Sequence, residues 1–181
     1  TGGLGYIGTE LCRLYSGVSW HHNILVVDNR FISERVNQIR NWNMEFIHGD
    51  ILNKDLVNKY FKNADVVHHL AGITSVPRTK SESSKEIDDK IKLVAVEGTQ
   101  NILDAISNEC KLIFPSTHVV YEGISEVKKD IKENENTQPV LSYSSSKAVN
   151  EKQIKDSRKN YVILRLGSVY GYSTDTARID I

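Results

Sequence analysis

Tyr143, Lys147 and the Ser116-Thr117 pair have the types and spacing for proton chemistry. Tyr143 and Lys147 stand four residues apart in Tyr143-Ser-Ser-Ser-Lys147, so on a helix they share one face. A free phenol has a pKa of about 10 and is a poor base at neutral pH. A neighbouring ammonium favours the phenolate, which lets Tyr143 exchange a proton with a substrate hydroxyl. Lys147 can also hold the ribose hydroxyls of a cofactor. Ser116 and Thr117 follow the apolar run Lys111-Leu-Ile-Phe114, where a hydroxyl can bond the same substrate oxygen. Each feature has a plainer reading. Tyr143 can open an ordinary amphipathic helix capped by Ser142, and Ser116-Thr117 can cap the turn after Pro115.

A second group of residues is suited to phosphate. Gly3-Leu-Gly5-Tyr6-Ile7-Gly8 fits G-x-G-x-x-G, and Gly2, Gly5 and Gly8 fit a second spacing, G-x-x-G-x-x-G. Glycines permit a tight turn and let backbone N–H groups approach a pyrophosphate, with the positive end of the next helix facing that charge. Asp28 lies 20 residues after Gly8, at the end of an apolar run. A carboxylate there accepts hydrogen bonds from the adenosine ribose and repels a 2′-phosphate, which favours NAD over NADP. Arg30 keeps the other preference open, since a nearby arginine can accommodate that phosphate. The plainer reading of Asp28 is a strand-end turn residue before Asn29.

Such residues need a scaffold that brings them together. Apolar runs at 24–27, 44–47, 65–70, 111–114 and 161–165 read as strands. Helical patterns at 7–15, 55–61, 87–107 and 143–155 alternate with them. That alternation predicts an α/β fold, a doubly wound parallel sheet of Rossmann type covered on both faces. Loops at 72–85, 115–139 and 166–181 each follow a strand, where ligands of open α/β sheets sit. The middle one also reads as a solvated surface excursion. A glycine turn at residue 1 asks for a strand before it, and the chain stops at 181 without a terminating pattern. The expectation is a fragment, with 1–181 as one dinucleotide-binding domain and a substrate domain beyond it.

Composition excludes several classes. The 181 residues carry 23 Lys+Arg and 23 Asp+Glu, so the net charge is zero and gives no electrostatic case for nucleic acid or an anionic membrane. No apolar run is long enough to span a bilayer, and the first residues lack a signal-peptide pattern. Cys12 and Cys110 read as small buried residues in a reducing cytoplasm. His68-His69 is a poor metal site, because adjacent strand residues face opposite ways.

Seven motifs occur in order: Thr1-Gly-Gly-Leu-Gly-Tyr-Ile-Gly8, Asp28-Asn29, Gly49-Asp50-Ile51, His69-Leu70-Ala71-Gly72, Pro115-Ser-Thr117 with Val120-Tyr121, Tyr143-x-x-Ser146-Lys147-x-x-x-Glu151, and Arg165-Leu-Gly-Ser-Val-Tyr-Gly171. Together they resemble the extended short-chain dehydrogenase/reductases, the NAD-dependent epimerase/dehydratase family, through essentially the whole chain. The resemblance implies NAD as cofactor and a nucleotide-sugar as substrate. It implies that Gly2, Gly5, Tyr6 and Ile7 cradle the pyrophosphate with Gly8 closing the turn. Asp28 and Asn29 would hold the adenosine ribose, Asp50 and Ile51 flank adenine, and Leu70, Ala71 and Gly72 line the middle of the cofactor. Thr117, Tyr143 and Lys147 would be the catalytic set. Ser116, Gly167 and Ser168 would lie near the nicotinamide and sugar. Pairing of two copies through the family's long fourth and fifth helices, here the patterns at 87–107 and 143–155, is expected by the same analogy.

The sequence also departs from the family. Dehydratases place Asp-Glu after the catalytic Thr, where this chain has His118-Val119, which disfavours dehydration. Ala95 stands where an Asn often precedes x-x-Gly-Thr, so one polar contact near the site is expected to be absent. Glu122 interrupts the usual Val-Tyr-Gly. The leading expectation is a nucleotide-sugar epimerase working through a keto intermediate. A net sugar oxidoreductase of the same family, and a non-catalytic NAD-binding protein, are the alternatives.

Overall fold

From the glycine turn onward, helix and strand alternate. The structure, a computed structural model, describes residues 1–74 and 79–171. The order is α1 (Tyr6–Tyr15), β1 (Leu25–Asp28), α2 (Ser33–Asn41), β2 (Glu45–His48), α3 (Lys54–Phe61), β3 (Val66–His68), α4 (Lys85–Ala105), β4 (Lys111–Thr117), α5 (Ser142–Asp156) and β5 (Asn160–Leu166). Short 3₁₀ turns occupy Lys80–Glu82 and His118–Tyr121.

Among the described residues, every strand pairing is parallel. β1 pairs with β2, and β3, β4 and β5 form a second set with β4 in the middle. Thr1 and Gly2 lie between the two sets. Gly2 N–H donates to Val27 O at 2.8 Å, the Thr1 amino group donates to His68 O at 2.7 Å, and Leu70 N–H donates to Thr1 O at 3.2 Å. The first two residues therefore join the half-sheets into one α/β layer, as the alternation of runs predicts.

Side chains alternate between the faces of this layer. Val26 packs with Leu4, Cys12, Val36, Ile39, Met44 and Phe46 beneath α1 and α2. Val27 packs with Val57, Phe61, Ile102, Leu112 and Ile154 beneath α3, α4 and α5. Burying each such side chain contributes roughly 1.5–3 kcal/mol. Cys12 and Cys110 are free and buried, one on each face.

Two elements differ from the sequence reading. Helix α2 was not expected, because its charged and amide residues leave Val36 and Ile39 as its buried apolar contacts. Strand β4 runs on through Pro115 to Thr117. Lys111 and Ile113 exchange hydrogen bonds on the β3 side, and Pro115, two residues on, faces the same way. β3 has ended by then, so the missing proline N–H breaks no ladder. Asn150 and Gln153 on α5 donate to Ala95 O and Val96 O on α4, at 2.9 and 3.1 Å, which locks those two helices together.

Candidate active site

A cleft of about 1030 Å³ runs along the ends of the strands, across the joint between the half-sheets. Its lining includes Gly2, Gly5, Tyr6, Ile7, Gly8, Asp28, Asn29, Asp50, Ile51, Leu70, Ala71, Gly72, Ser116, Thr117, Tyr143, Lys147 and Gly167. Ser168 is exposed and does not line it. A smaller hollow of about 600 Å³ beside α1 and Trp42 holds none of the candidate chemical residues.

The glycine turn is shaped so that side chains do not fit. Gly2 has φ +68°, and a Cβ there would lie 2.6 Å from Ala71 N. A Cβ on Gly8 would lie 2.2 Å from Gly2 O. The turn leads into α1, whose start at Gly5 carries no side-chain cap and opens on the cleft. This leaves N–H groups and the positive helix end available to a pyrophosphate.

Asp28 is buried at the end of β1, with Leu4 N–H on Oδ2 and Arg30 N–H on Oδ1, both at 2.9 Å. Arg30 Nε lies 3.4 Å from Oδ1. Oδ1 thus has two donors, whereas Oδ2 has one and can accept another. Asp50 Oδ2 accepts from Asn29 Nδ2 at 3.0 Å, and Asp50 Oδ1 accepts from Leu52 N–H at 2.9 Å. The Ile51 carbonyl accepts from the buried Asn101 at 3.0 Å. A Cβ on Gly98 would lie 2.4 Å from Ile51 Cδ1, so α4 makes room for Ile51 with a glycine.

His68 and His69 face opposite ways. His68 Nε2 lies 2.9 Å from Tyr15 Oη, whereas His69 bonds Thr99 Oγ1 at 3.0 Å and Thr1 Oγ1 at 3.1 Å. Burial holds His69 well below the usual imidazole pKa. Among the described residues, no three His, Cys, Asp or Glu side chains group as a metal site. No described helix is long and apolar enough to cross a membrane.

Tyr143 sits in the first turn of α5 and Lys147 one turn further, on the same face. Lys147 Nζ lies 6.0 Å from the centre of the Tyr143 ring and 4.4 Å from that of Phe114. It donates to Pro115 O at 2.9 Å, the carbonyl that β3 leaves uncovered. Burial lowers its pKa to about 8, against a pull upward from Glu151. Thr117 ends β4, and its Oγ1 accepts from Val119 N–H at 3.3 Å to start the 3₁₀ turn. Ser116 points the other way, and its Oγ donates to Glu151 Oε1 at 2.6 Å.

Helix α5 does not begin as its sequence predicts. Ser142 is its first residue rather than its cap, and the capping position is Leu141, whose side chain caps nothing. The Leu141 N–H donates to Ser144 Oγ at 3.2 Å and to Glu122, 20 residues before Ser142, at 2.7 Å. Two further participants have no role assigned by the sequence. Glu151 and Arg165 are paired through Oε2–Nη2 at 2.6 Å and Oε1–Nε at 2.9 Å. The signal for Glu151 was its spacing, four residues beyond Lys147 on the same helix face. At Ala95 the backbone carbonyl holds Asn150.

The family model for "NAD dependent epimerase/dehydratase family" matches residues 1–180. The chain belongs to that family. It is 31% identical over 183 residues to a putative UDP-glucose 4-epimerase of Methanocaldococcus jannaschii, covering 97% of this chain and 56% of that protein. It is 29% identical over 192 residues to a dTDP-D-glucose 4,6-dehydratase of Dictyostelium discoideum, covering 94% and 43%. A crystal structure of a mutant UDP-glucuronic acid 4-epimerase from Bacillus cereus, in complex with UDP-4-deoxy-4-fluoro-glucuronic acid and NAD, superimposes with a TM-score of 0.79 at 27% identity. That match covers 96% of this chain and 57% of the other. The chain thus spans about half the length of the relatives it matches.

Proposed function

We propose that residues 1–181 are the NAD-binding and catalytic part of a nucleotide-sugar epimerase, with most sugar recognition supplied by a further domain. The carrying observation is that the glycine turn, Asp28, Thr117, Tyr143 and Lys147 line one cleft. The turn has the close backbone approach that a pyrophosphate requires, so the residues present fit NAD. The glycine turn, Asp28 and Lys147 would hold NAD, which would supply reversible hydride transfer at a sugar carbon. Tyr143 takes the hydroxyl proton and later gives it back. The Lys147 ammonium favours the phenolate and holds ribose hydroxyls. Thr117 donates a hydrogen bond to the reacting oxygen.

Epimerisation is favoured over dehydration by the residues after Thr117. His118 and Val119 offer no carboxyl to assist loss of water, and the Glu122 carboxylate is engaged at the start of α5. A cytoplasmic setting fits the two free thiols, and pairing of two copies through α4 and α5 belongs to the same reading.

The test is Tyr143→Phe in the full-length protein. Turnover of the preferred sugar nucleotide is expected to fall by about 10²–10⁴-fold, with NAD still bound. Unimpaired turnover overturns the mechanism. A wild-type enzyme that needs stoichiometric added NAD and releases an oxidised or reduced sugar would be a net oxidoreductase instead.

A further inference from the structure

Glu122 is the residue by which this chain departs from Val-Tyr-Gly, and its carboxylate has three donors on one oxygen. Val140 N–H and Leu141 N–H each donate to Oε1 at 2.7 Å, and Ser144 Oγ donates to the same atom. These donors flank Tyr143. Glu122 itself follows the 3₁₀ turn His118–Tyr121, which begins on the Thr117 hydroxyl. Gln138 N–H donates to Val120 O and Gly123 N–H donates to Gln138 O, both at 2.8 Å, so 120–123 and 138–141 are held side by side. A short path therefore runs from Thr117 through the 3₁₀ turn and Glu122 to the first turn of α5.

We propose that Glu122 is a positioning residue for the catalytic pair: it clamps the start of α5 to the segment after Thr117 and so sets the gap that Thr117 and Tyr143 share. This rests on the catalytic reading of those two residues. The physical need is clear. The N-terminal N–H groups of a helix lack intrahelical acceptors, Leu141 supplies no side-chain cap, and a negative charge is favoured at that helix end. Burial raises the Glu122 pKa, but the hydrogen bonds from Ser144, Leu141 and Val140 outweigh it and hold the carboxyl below the usual range. Glu122 is therefore an anion at working pH. Its side chain is exposed enough to be replaced without opening a core cavity.

The experiment compares Glu122→Ala and Glu122→Gln with wild type in the full-length protein. Amide exchange at Val140 and Leu141, whose N–H groups Glu122 accepts, should rise about tenfold or more in the alanine variant. Its kcat should fall by about tenfold or more, as expected when a reacting group is misplaced, while KM for the sugar nucleotide changes less than about twofold. Glutamine keeps an acceptor oxygen and should restore most of kcat. The proposal is overturned if the alanine variant keeps wild-type kcat, if exchange at Val140 and Leu141 does not change, or if glutamine is as damaging as alanine. Wild type inactive on every sugar nucleotide would instead sink the epimerase reading, while the exchange comparison would still decide whether the clamp exists.

Discussion

Lys147 carries its charge where the surroundings oppose it. Burial lowers its pKa from 10.5 to about 8, and Glu151 pulls it back up. Below about pH 8 the ammonium persists and can donate to ribose hydroxyls; above it the donor charge is lost. For stability the sign is the reverse of a gained ion pair. The unfolded lysine binds its proton more tightly, so the cost of burying the charge is full below about pH 8 and is relieved as pH rises toward 10.5. NAD affinity measured calorimetrically against pH should weaken as pH rises through about 8, and Glu151→Gln should move that midpoint downward. An unmoved midpoint would refute the coupling. Tyr143, Lys147 and Asp28 were legible because a helical turn and a strand-to-turn offset are spacings written in the chain. Glu122 was not, since its partners at 140, 141 and 144 meet it across a loop whose path no local spacing encodes.

At the scale of elements, a buried ion pair fastens α5 to the sheet. Glu151 of α5, with 3% of its side chain exposed, grips Arg165 of β5 at 13%, and also takes the Ser116 hydroxyl of β4. Arg165 reaches further, to Tyr121 Oη and, at 3.0 Å, to Glu133 O. Burial raises the Glu151 carboxyl pKa, yet hydrogen bonds from Arg165 and Ser116 bring it below the usual range. Its stabilising contribution is therefore present above the unfolded value of about 4.5 and is lost as pH falls through the lower folded value. Glu151→Ala removes the counter-charge and leaves the guanidinium with the neutral acceptors Tyr121 Oη and Glu133 O, and should lower unfolding free energy by about 3–5 kcal/mol. Arg165→Lys keeps the charge but loses the two-pronged fit, and should cost less. Denaturant titration decides it, and a loss under about 1 kcal/mol for Glu151→Ala would contradict a buried pair. The strand–helix alternation around this pair was readable from apolar runs. Helix α2 was hidden because tertiary burial of Val36 and Ile39, rather than a strong apolar stripe, accompanies its folding.

For the whole molecule, the cleft depends on how two half-sheets meet. Asp28, Asn29 and Asp50 come to it from the β1–β2 side, and Leu70, Thr117 and the α5 residues from the β3–β4–β5 side. Gly2 stands between them, with its N–H on Val27 O and its backbone pressed against Leu70 and Ala71. A Cβ there would come within 2.6 Å of Ala71 N and 2.8 Å of Leu70 C, at a φ of +68° that side chains rarely adopt. Neither neighbour is a flexible side-chain end, so the backbone itself must move. Gly2→Ala in the full-length protein should therefore cost on the order of 1–3 kcal/mol in strain and weaken NAD binding together with thermal stability. Gly17→Ala is the control, since a Cβ there meets nothing within 4 Å. Thermal scans with and without NAD separate the outcomes. If Gly2→Ala melts early but keeps its NAD-induced shift, the joint is structural and the two banks of the cleft are positioned by something else; if both fall, the joint sets the width of the cofactor site.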